Sequence, residues 1–353
     1  MSGRKIGGAI LVIAVLVVIL VSSIMPSWLS PRGQTGVIPK DSPPVPQRGF
    51  YMGVLPTPRV NQSFADSFKQ ASTYSDFVPV WGRPTPFYDL GADLSGSWGE
   101  TFVDTYTRLN RMFPLVHLSF IGEDMSIVCP PGLQGATLSD PRWREFYKQA
   151  ALDAVRATKP LYLSLGNEVN RWYEKYGAKA GDPNCFQNFV SLYEEIYAAV
   201  KALSNKTTVF CVFAREIVSE RKEADLEVLK LFNPARIDLL ALTSYPFAVQ
   251  RRSRPSDIPD DYYKKASQYM PQKPFALTET AWSSHPYYGG EQAQSDFLSQ
   301  VTGRLTSAQG INMDLLGWAW LHDIGESDYI GMVKRDGNEK LVYKTWKNVF
   351  TGA

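Results

Sequence analysis

The chain has 353 residues, of which 44% are hydrophobic, and this is enough apolar material for one large domain or two modest ones. Its 37 Lys and Arg against 35 Asp and Glu give a formal net charge of +2, and the basic residues are scattered, which argues against a nucleic-acid-binding protein. Aromatic residues make up 13% of the chain, which suits both a packed core and a surface that stacks on flat apolar faces.

The first predicted element is a hydrophobic segment at residues 1–25. Arg4 and Lys5 precede IGGAILVIAVLVVILVSSIM, an uncharged run of about twenty residues that can span a bilayer with its basic flank in the cytoplasm. Small residues at 21–23 also permit a cleaved signal peptide, but the length of the apolar run favours a single-pass anchor. With either interpretation, the rest of the chain is expected outside the cytoplasm, membrane-anchored or secreted.

Residues 26–48 are predicted to be a linker. They hold six prolines and show no periodicity of apolar residues, which is typical of an extended spacer. We therefore expect three parts: an anchor or signal peptide at 1–25, a Pro-rich linker at 26–48, and one folded domain at 49–353.

In the folded domain, a short apolar strand, a loop and an amphipathic helix recur eight times. The strands are predicted at residues 50–55, 76–81, 114–120, 161–166, 208–213, 238–244, 274–279 and 314–320. The helices are predicted at residues 61–74, 100–112, 140–159, 186–203, 225–232, 260–269, 291–305 and 343–350. This alternation predicts an α/β fold with a parallel sheet closed into a (β/α)8 TIM barrel. The alternative is an open doubly wound sheet, which more often has a Gly-rich turn after its first strand than the MGVLPTPR found here.

The fourth strand ends in two polar residues, in the stretch LYLSLGNEVN at 161–170. A carboxylate such as Glu168 is unfavourable at the end of a buried strand unless something uses it. Strand alternation puts Tyr162 and Ser164 on the inner face of the barrel together with Glu168. Because (β/α)8 enzymes carry their active sites at the carboxyl ends of the strands, Glu168 is predicted to lie at the mouth.

The seventh strand ends in the same way, because KPFALTETAW places Glu279 after an apolar run. Strands 4 and 7 are three positions apart, so their ends lie on nearly opposite sides of the mouth. Two Glu side chains reaching inward could come to about 5–5.5 Å, the separation used in retaining glycoside hydrolysis. One carboxyl would protonate the leaving oxygen while the other attacks the anomeric carbon, and burial and mutual repulsion would raise one of the two pKa values.

The GNE that ends strand 4 and the TET that ends strand 7 resemble clan A of the glycoside hydrolases, the large group of retaining (β/α)8 enzymes. The resemblance covers about residues 49–350. It implies that Glu168 is the acid/base, that Asn167 binds the sugar 2-hydroxyl, and that Glu279 is the nucleophile. It also implies that Tyr245, in LTSYPF after strand 6, hydrogen-bonds the nucleophile.

The resemblance suggests further substrate-binding residues. Trp320, in GWAWLHD on strand 8, would be the platform under the reacting sugar, and Trp318 would lie deeper in the barrel. A tryptophan in a strand could instead be an ordinary packing residue. The remaining aromatic candidates are Trp81 at the end of strand 2 and Trp282 after strand 7. His117 on strand 3 is a further candidate, although it could instead be a core histidine. These families often carry a basic residue near the first strands, and here it could be Arg59 or Arg83.

The stretches SYPF and TETAW resemble the endo-galactanase, β-glucanase and β-mannanase families. Long loops after strands 2, 3 and 4 predict an open cleft, which favours endo action of a monomer on an extracellular polysaccharide. Two alternatives remain: a catalytically inactive barrel that only binds glycan, and a transglycosylase that uses the same site with a sugar acceptor.

Other chemistries lack their motifs in the sequence. The three histidines show no close metal-ligand spacing, and neither HExxH nor CxxC occurs, so no metal or cofactor is expected. The Ser nucleophile motif GxSxG is also missing. Cys211 lies in a predicted strand, whereas Cys129 and Cys185 lie in loops and could form a disulfide outside the cytoplasm.

Overall fold

A nearly closed barrel of parallel strands forms the centre of the protein. The computed structural model describes residues 36–81 and 86–352. The barrel strands are β1 (Tyr51–Val54), β2 (Phe77–Val80), β3 (Phe113–His117), β4 (Tyr162–Ser164), β5 (Thr208–Phe210), β6 (Val212–Ala214), β9 (Leu240–Ser244), β10 (Phe275–Thr280) and β11 (Met313–Trp318), and β7 (Glu216–Ile217) and β8 (Lys222–Glu223) form a separate antiparallel hairpin.

The order of the nine parallel strands is β5-β4-β3-β2-β1-β11-β10-β9-β6. The first and last strands of this order, β5 and β6, are separated in the chain only by Cys211. Together they occupy the fifth position of an eight-position barrel, and β1 closes the other side by pairing with β11. The predicted α/β class and barrel are therefore confirmed, and the open-sheet alternative is wrong.

Helices surround the barrel. They are α1 (Phe64–Ala71), α2 (Leu90–Ser95), α3 (Pro141–Thr158), α4 (Asn170–Tyr176), α5 (Phe186–Leu203), α6 (Lys264–Ser267), α7 (Gly290–Thr302) and α8 (Leu341–Thr351). The Asp140 side chain caps α3, because it accepts from the backbone N–H of Arg142 and Trp143. The helix predicted at 100–112 instead forms π-type turns over Gly99–Thr107 and a 3-10 turn over Arg108–Asn110.

Aromatic rings fill the amino-terminal half of the barrel. The ring of Phe113 packs edge-on against Tyr51, with 5.2 Å between centroids, and stacks on Tyr162 at 5.6 Å. The Tyr162 hydroxyl then donates to Oδ2 of Asp314, on β11 across the barrel, at 2.8 Å. Tyr162 therefore faces the interior, as strand alternation predicts, and the amino-terminal end of the barrel is a packed core.

Residues 36–48, the described part of the expected linker, lie against this amino-terminal end. The Val37 N–H donates to the carbonyl of Leu203 at 2.6 Å. The Arg108 guanidinium contacts Asp41 through both Nε and Nη2, at 2.9 Å and 2.8 Å, and its Nη2 also donates to the Thr158 carbonyl. The Arg108 side chain is only 9% exposed, so this pair fixes the segment to the barrel.

The predicted membrane segment at 1–25 lies outside the described residues. Within 36–81 and 86–352, no helix combines the length and the apolar character that crossing a membrane requires.

We expect Arg108→Met to lower the free energy of unfolding by about 3 kcal/mol, because it removes one partner from a largely buried ion pair and leaves Asp41 without its cation. Chemical denaturation followed by circular dichroism measures the change. Lys265→Met is the matched control, because Lys265 and its partner Asp261 are both about half exposed, and it should shift stability by less than about 0.5 kcal/mol. Equal effects of the two variants would contradict the role of Arg108.

Candidate active site

The chain after β4 takes an unusual turn that positions Glu168. Gly166 packs so closely on Val169 that an added Cβ would lie 2.4 Å from the Val169 side chain. Two residues later Glu168 has a φ of +48°, in the left-handed region that residues other than glycine uncommonly adopt. Helix α4 then begins at Asn170. Such local backbone strain is often found at functional sites.

Two side chains hold the Glu168 carboxylate. Its Oε1 accepts from the Thr243 hydroxyl, near the end of β9, at 2.8 Å. Its Oε2 forms an ion pair with Nη1 of Arg171, one turn along the chain, at 2.9 Å. The carboxylate therefore reaches from the fourth to the sixth barrel position, and neither contact was predicted from sequence.

Glu279 lies near the end of β10, where the Tyr245 hydroxyl donates to its Oε1. Tyr245 directly follows β9, and the hydrogen bond joins the two residues that the clan A resemblance paired. Burial, and to a lesser extent the negative charge of Glu168, raise the pKa of Glu279 to about 8.

The sheet register brings Glu168 and Glu279 together. Glu279 is the register partner of Thr243 on the neighbouring strand, beyond a bulge between Leu277 and Glu279. Neighbouring strands lie about 4.8 Å apart, and Glu168 hydrogen-bonds that same Thr243. Two carboxyl groups thus converge at one place in the mouth. With one proton shared between them, such a pair can transfer a proton and also present a nucleophilic oxygen.

Two polar atoms at the carboxyl ends of the neighbouring strands β3 and β4 are buried without a hydrogen-bond partner in the described part of the chain: Nδ1 of His117 and Oδ1 of Asn167. The imidazole of His117 stacks on the Trp81 indole with 4.0 Å between centroids and 8° between planes. Burial lowers the pKa of His117 to about 3, so its ring is neutral near pH 7. Unpaired buried polar atoms are uncommon in native proteins, so these two atoms call for an explanation.

Trp320 lies half-buried beyond the end of β11. Its Nε1 donates to Oδ2 of Asp328 at 2.7 Å, and the same oxygen accepts from the backbone N–H of Ile324. Asp328, which sequence reasoning missed, therefore fixes the ring against its own loop. Trp318 is 1% exposed, and its Nε1 donates to the Ile330 carbonyl, so it belongs to the core.

Trp282 does not lie on the site surface. It is 0% exposed, its Nε1 donates to the Tyr288 carbonyl, and its ring packs on Phe297 of α7. The expected sugar-binding role needs a correction, because a ring with no accessible face has nothing to offer a sugar. Of the two candidate basic residues, Arg59 is exposed at the loop after β1, and Arg83 lies outside the described residues.

The expected disulfide is also absent, because Cys129, Cys185 and Cys211 are all free thiols. Cys185 is buried at the residue before α5. The Cys129 thiol faces the Ile127 carbonyl at 3.7 Å, which satisfies it locally within its own loop.

The sequence signals for the missed residues were weak but present. Thr243 is the strand residue that stands two positions before Tyr245, and Arg171 stands three positions after Glu168, a spacing that brings side chains together on a helical turn. Threonine and arginine are common at such positions, so neither residue could be identified as a contact of Glu168 before the fold was known.

No protein-family model and no curated protein matches the chain. Solved structures do. A family 5 glycoside hydrolase (subfamily 18) from Streptomyces cattleya in complex with GlcNAc is 13% identical, with a TM-score of 0.59, over 86% of this chain and 80% of that one. A family 39 glycoside hydrolase from Bacteroides cellulosilyticus WH2 is 15% identical, with a TM-score of 0.60, over 88% of this chain and 65% of that one.

An exo-β-1,4-mannosidase from Opitutaceae bacterium strain TAV5 is 16% identical, with a TM-score of 0.61, over 88% of this chain and 62% of that one. The chain thus spans less than two thirds of the mannosidase and of the family 39 enzyme. At these identities the likeness shows a shared fold, and the resemblance to clan A read from the sequence is confirmed at that level.

We expect Glu279→Gln to stabilise the protein at about pH 9 but not at about pH 4. The folded protein raises the pKa of Glu279 from 4.5 to about 8, so wild type loses stability as the pH rises between those values. A neutral amide avoids this loss, and the gain at high pH should be on the order of 2 kcal/mol in chemical denaturation.

Glu326→Gln serves as the control, because the Glu326 side chain is 95% exposed and its substitution should give no pH-dependent difference. Identical stability of wild type and Glu279→Gln at both pH values would show that the environment of Glu279 does not favour its protonated form.

Proposed function

We propose that the chain is a retaining β-glycoside hydrolase in which Glu168 is the acid/base and Glu279 the nucleophile. The observation that carries the proposal is the convergence of these carboxyl groups through Thr243, at the ends of the fourth and seventh strands of a (β/α)8 barrel. The shared fold with glycoside hydrolases supports it.

The chemistry proceeds in two displacements. A carboxylate oxygen of Glu279 attacks the anomeric carbon while Glu168 gives its proton to the glycosidic oxygen, so the C–O bond breaks and a glycosyl ester forms on Glu279. Glu168, now ionised, takes a proton from water, whose oxygen attacks the same carbon. The ester bond breaks, and both carboxyls return to their starting protonation states.

The proton must change position before the first displacement. In the free protein the raised pKa of Glu279 keeps its carboxyl largely protonated near neutrality, and Glu168 lies in an ion pair with Arg171. A bound sugar places its glycosidic oxygen beside Glu168, so a proton on Glu168 can hydrogen-bond to that oxygen. This favours transfer of the proton from Glu279 to Glu168. The Tyr245 hydroxyl then stabilises Glu279 in its ionised form, because it donates to the carboxylate.

The sugar would lie between aromatic rings and unpaired polar atoms. The half-buried rings of Trp320 and Trp81 offer flat faces, the buried His117 imidazole supports the Trp81 ring from behind, and the half-buried Asn167 offers its carboxamide. We propose that an extracellular polysaccharide binds at the mouth of the barrel and is cut within its chain. We also propose that residues 1–25 anchor the protein in the membrane; mass spectrometry of the mature N-terminus distinguishes an intact anchor from a cleaved signal peptide.

We expect the full-length chain to hydrolyse at least one member of a panel of β-1,4-mannan, β-1,4-mannooligosaccharides, β-glucan and β-galactan. β-Mannosides belong in the panel because one structural neighbour is an exo-β-1,4-mannosidase and others were solved with Manβ1-4GlcNAc. Proton NMR should show that the first product keeps the β configuration, and its size distribution reports endo or exo action.

Glu279→Ala should lose roughly 1,000-fold or more in kcat. Glu168→Ala should lower kcat by as much on natural linkages. Its effect on aryl glycosides should be much smaller, because their leaving groups need no protonation by an acid. Leu109→Ala, on a surface side chain that is 77% exposed, is the control and should act like wild type. Binding without hydrolysis would support the inactive, glycan-binding barrel, and products longer than the substrate would support a transglycosylase.

A further inference from the structure

A third carboxyl group, Glu216, lies directly behind the active site. It is the first residue of β7, just after the fifth barrel position, and is 3% exposed. Buried carboxyl groups are rare unless their oxygens have partners. The proposed hydrolysis makes no use of Glu216, so its burial calls for another explanation.

Its two oxygens accept three hydrogen bonds. Oε2 accepts from the backbone N–H of Tyr245 at 2.6 Å. Oε1 accepts from the Ser244 hydroxyl at 2.9 Å and from the Tyr262 hydroxyl at 2.6 Å. Two of the three donors belong to consecutive residues at the end of β9, the strand whose Thr243 contacts Glu168.

Glu216 approaches that strand from the side opposite to the substrate. Thr243 faces the mouth, because its hydroxyl donates to Glu168. Since successive residues of a strand point to opposite faces, Ser244 faces outward, and this is where Glu216 meets it. Glu216 therefore cannot touch a sugar, and it contacts the reaction only through the backbone of Tyr245.

A rigid cluster holds Glu216 in this position. Its neighbour Arg215 is 1% exposed, forms an ion pair with Glu223 at 2.6 Å, and lies over the ring of Tyr262 at 3.8 Å. Arg252 lies over the same ring at 4.5 Å and also pairs with Glu223. Because Tyr262 is fixed by two guanidinium groups, its hydroxyl presents a fixed donor to Glu216.

We propose that Glu216 is a positioning residue for Tyr245, which rests on the proposed function. By accepting the Tyr245 N–H, it sets the backbone conformation of the residue whose hydroxyl donates to Glu279. The role requires an acceptor oxygen and no charge. An amide oxygen can replace it, because the amide N–H2 can donate to the oxygens of Ser244 or Tyr262.

Five variants test the proposal in the full-length protein. Glu216→Leu and Tyr245→Phe should each lower kcat about 10- to 100-fold, with little change in KM. The double variant should lose no more than Tyr245→Phe alone, since both act through one hydroxyl. Glu216→Gln should keep kcat within about threefold. Tyr262→Phe removes one of the three hydrogen bonds to Glu216 but keeps the ring and the contact with the Tyr245 N–H, so its loss of kcat should be smaller than that of Glu216→Leu.

The proposal would be overturned if the loss of kcat in the double variant equalled the product of the losses in the two single variants. An unchanged kcat in Glu216→Leu would also overturn it. If Glu216→Leu does not fold, Glu216→Asp replaces it, because the shorter side chain withdraws the oxygen from the Tyr245 N–H. Its expected loss is about 10-fold, and an unchanged kcat would again overturn the positioning role.

A measurement independent of catalysis separates this proposal from the proposed function. Titration of the Glu279 side-chain carbon by 13C NMR should give a higher pKa in Glu216→Leu and in Tyr245→Phe than in wild type, because the carboxylate loses its donor. Tyr262→Phe should raise the Glu279 pKa less than Glu216→Leu does. If wild type hydrolyses no substrate, the proposed hydrolase is wrong, and a raised pKa in Glu216→Leu still supports the positioning role. An unchanged pKa in that variant overturns it.

Discussion

The hydrogen-bonded register of the barrel is the constraint on which the site depends, because it keeps the buried Glu279 carboxyl close to Glu168, whose negative charge repels it. A pair of side chains on flexible loops could separate to relieve the repulsion. Here β9 and β10 are locked together by register, and Glu168 is tied to Thr243 on one of them. Burial of Glu279, with a smaller contribution from the charge of Glu168, therefore keeps a proton at the site near neutral pH, and this proton is available for acid chemistry.

The end of β9 organises all three carboxyl groups. Thr243 donates to Glu168, Ser244 to Glu216, and the hydroxyl of Tyr245 to Glu279. Because side chains alternate along a strand, Thr243 and Tyr245 point to the mouth of the barrel and Ser244 points to the opposite face. The backbone N–H of Tyr245 also donates to Glu216, so Tyr245 contacts both the active-site carboxyl of Glu279 and the buried carboxyl of Glu216.

Much of this fold could be predicted from sequence, because strands and helices alternate with clear apolar periodicity and Glu168 and Glu279 interrupt that pattern at strand ends. The direction of side chains beyond the strand ends could not be predicted from sequence. Trp282 stands three residues after Glu279, where the chain leaves the regular alternation, and it turned into the core. Glu216 follows an apolar strand much as Glu168 does, so only the fold shows that one faces outward and the other faces the mouth.

The tripeptide Thr243–Ser244–Tyr245 makes the site unequally tolerant of different kinds of mutation. A point substitution there disturbs one carboxyl group and leaves the other two with their donors. An insertion or deletion of a single codon upstream in β9 would shift every later side chain to the opposite face and exchange the partners of all three at once. Over evolutionary time, this segment should therefore accept changes of residue type far more readily than changes of length.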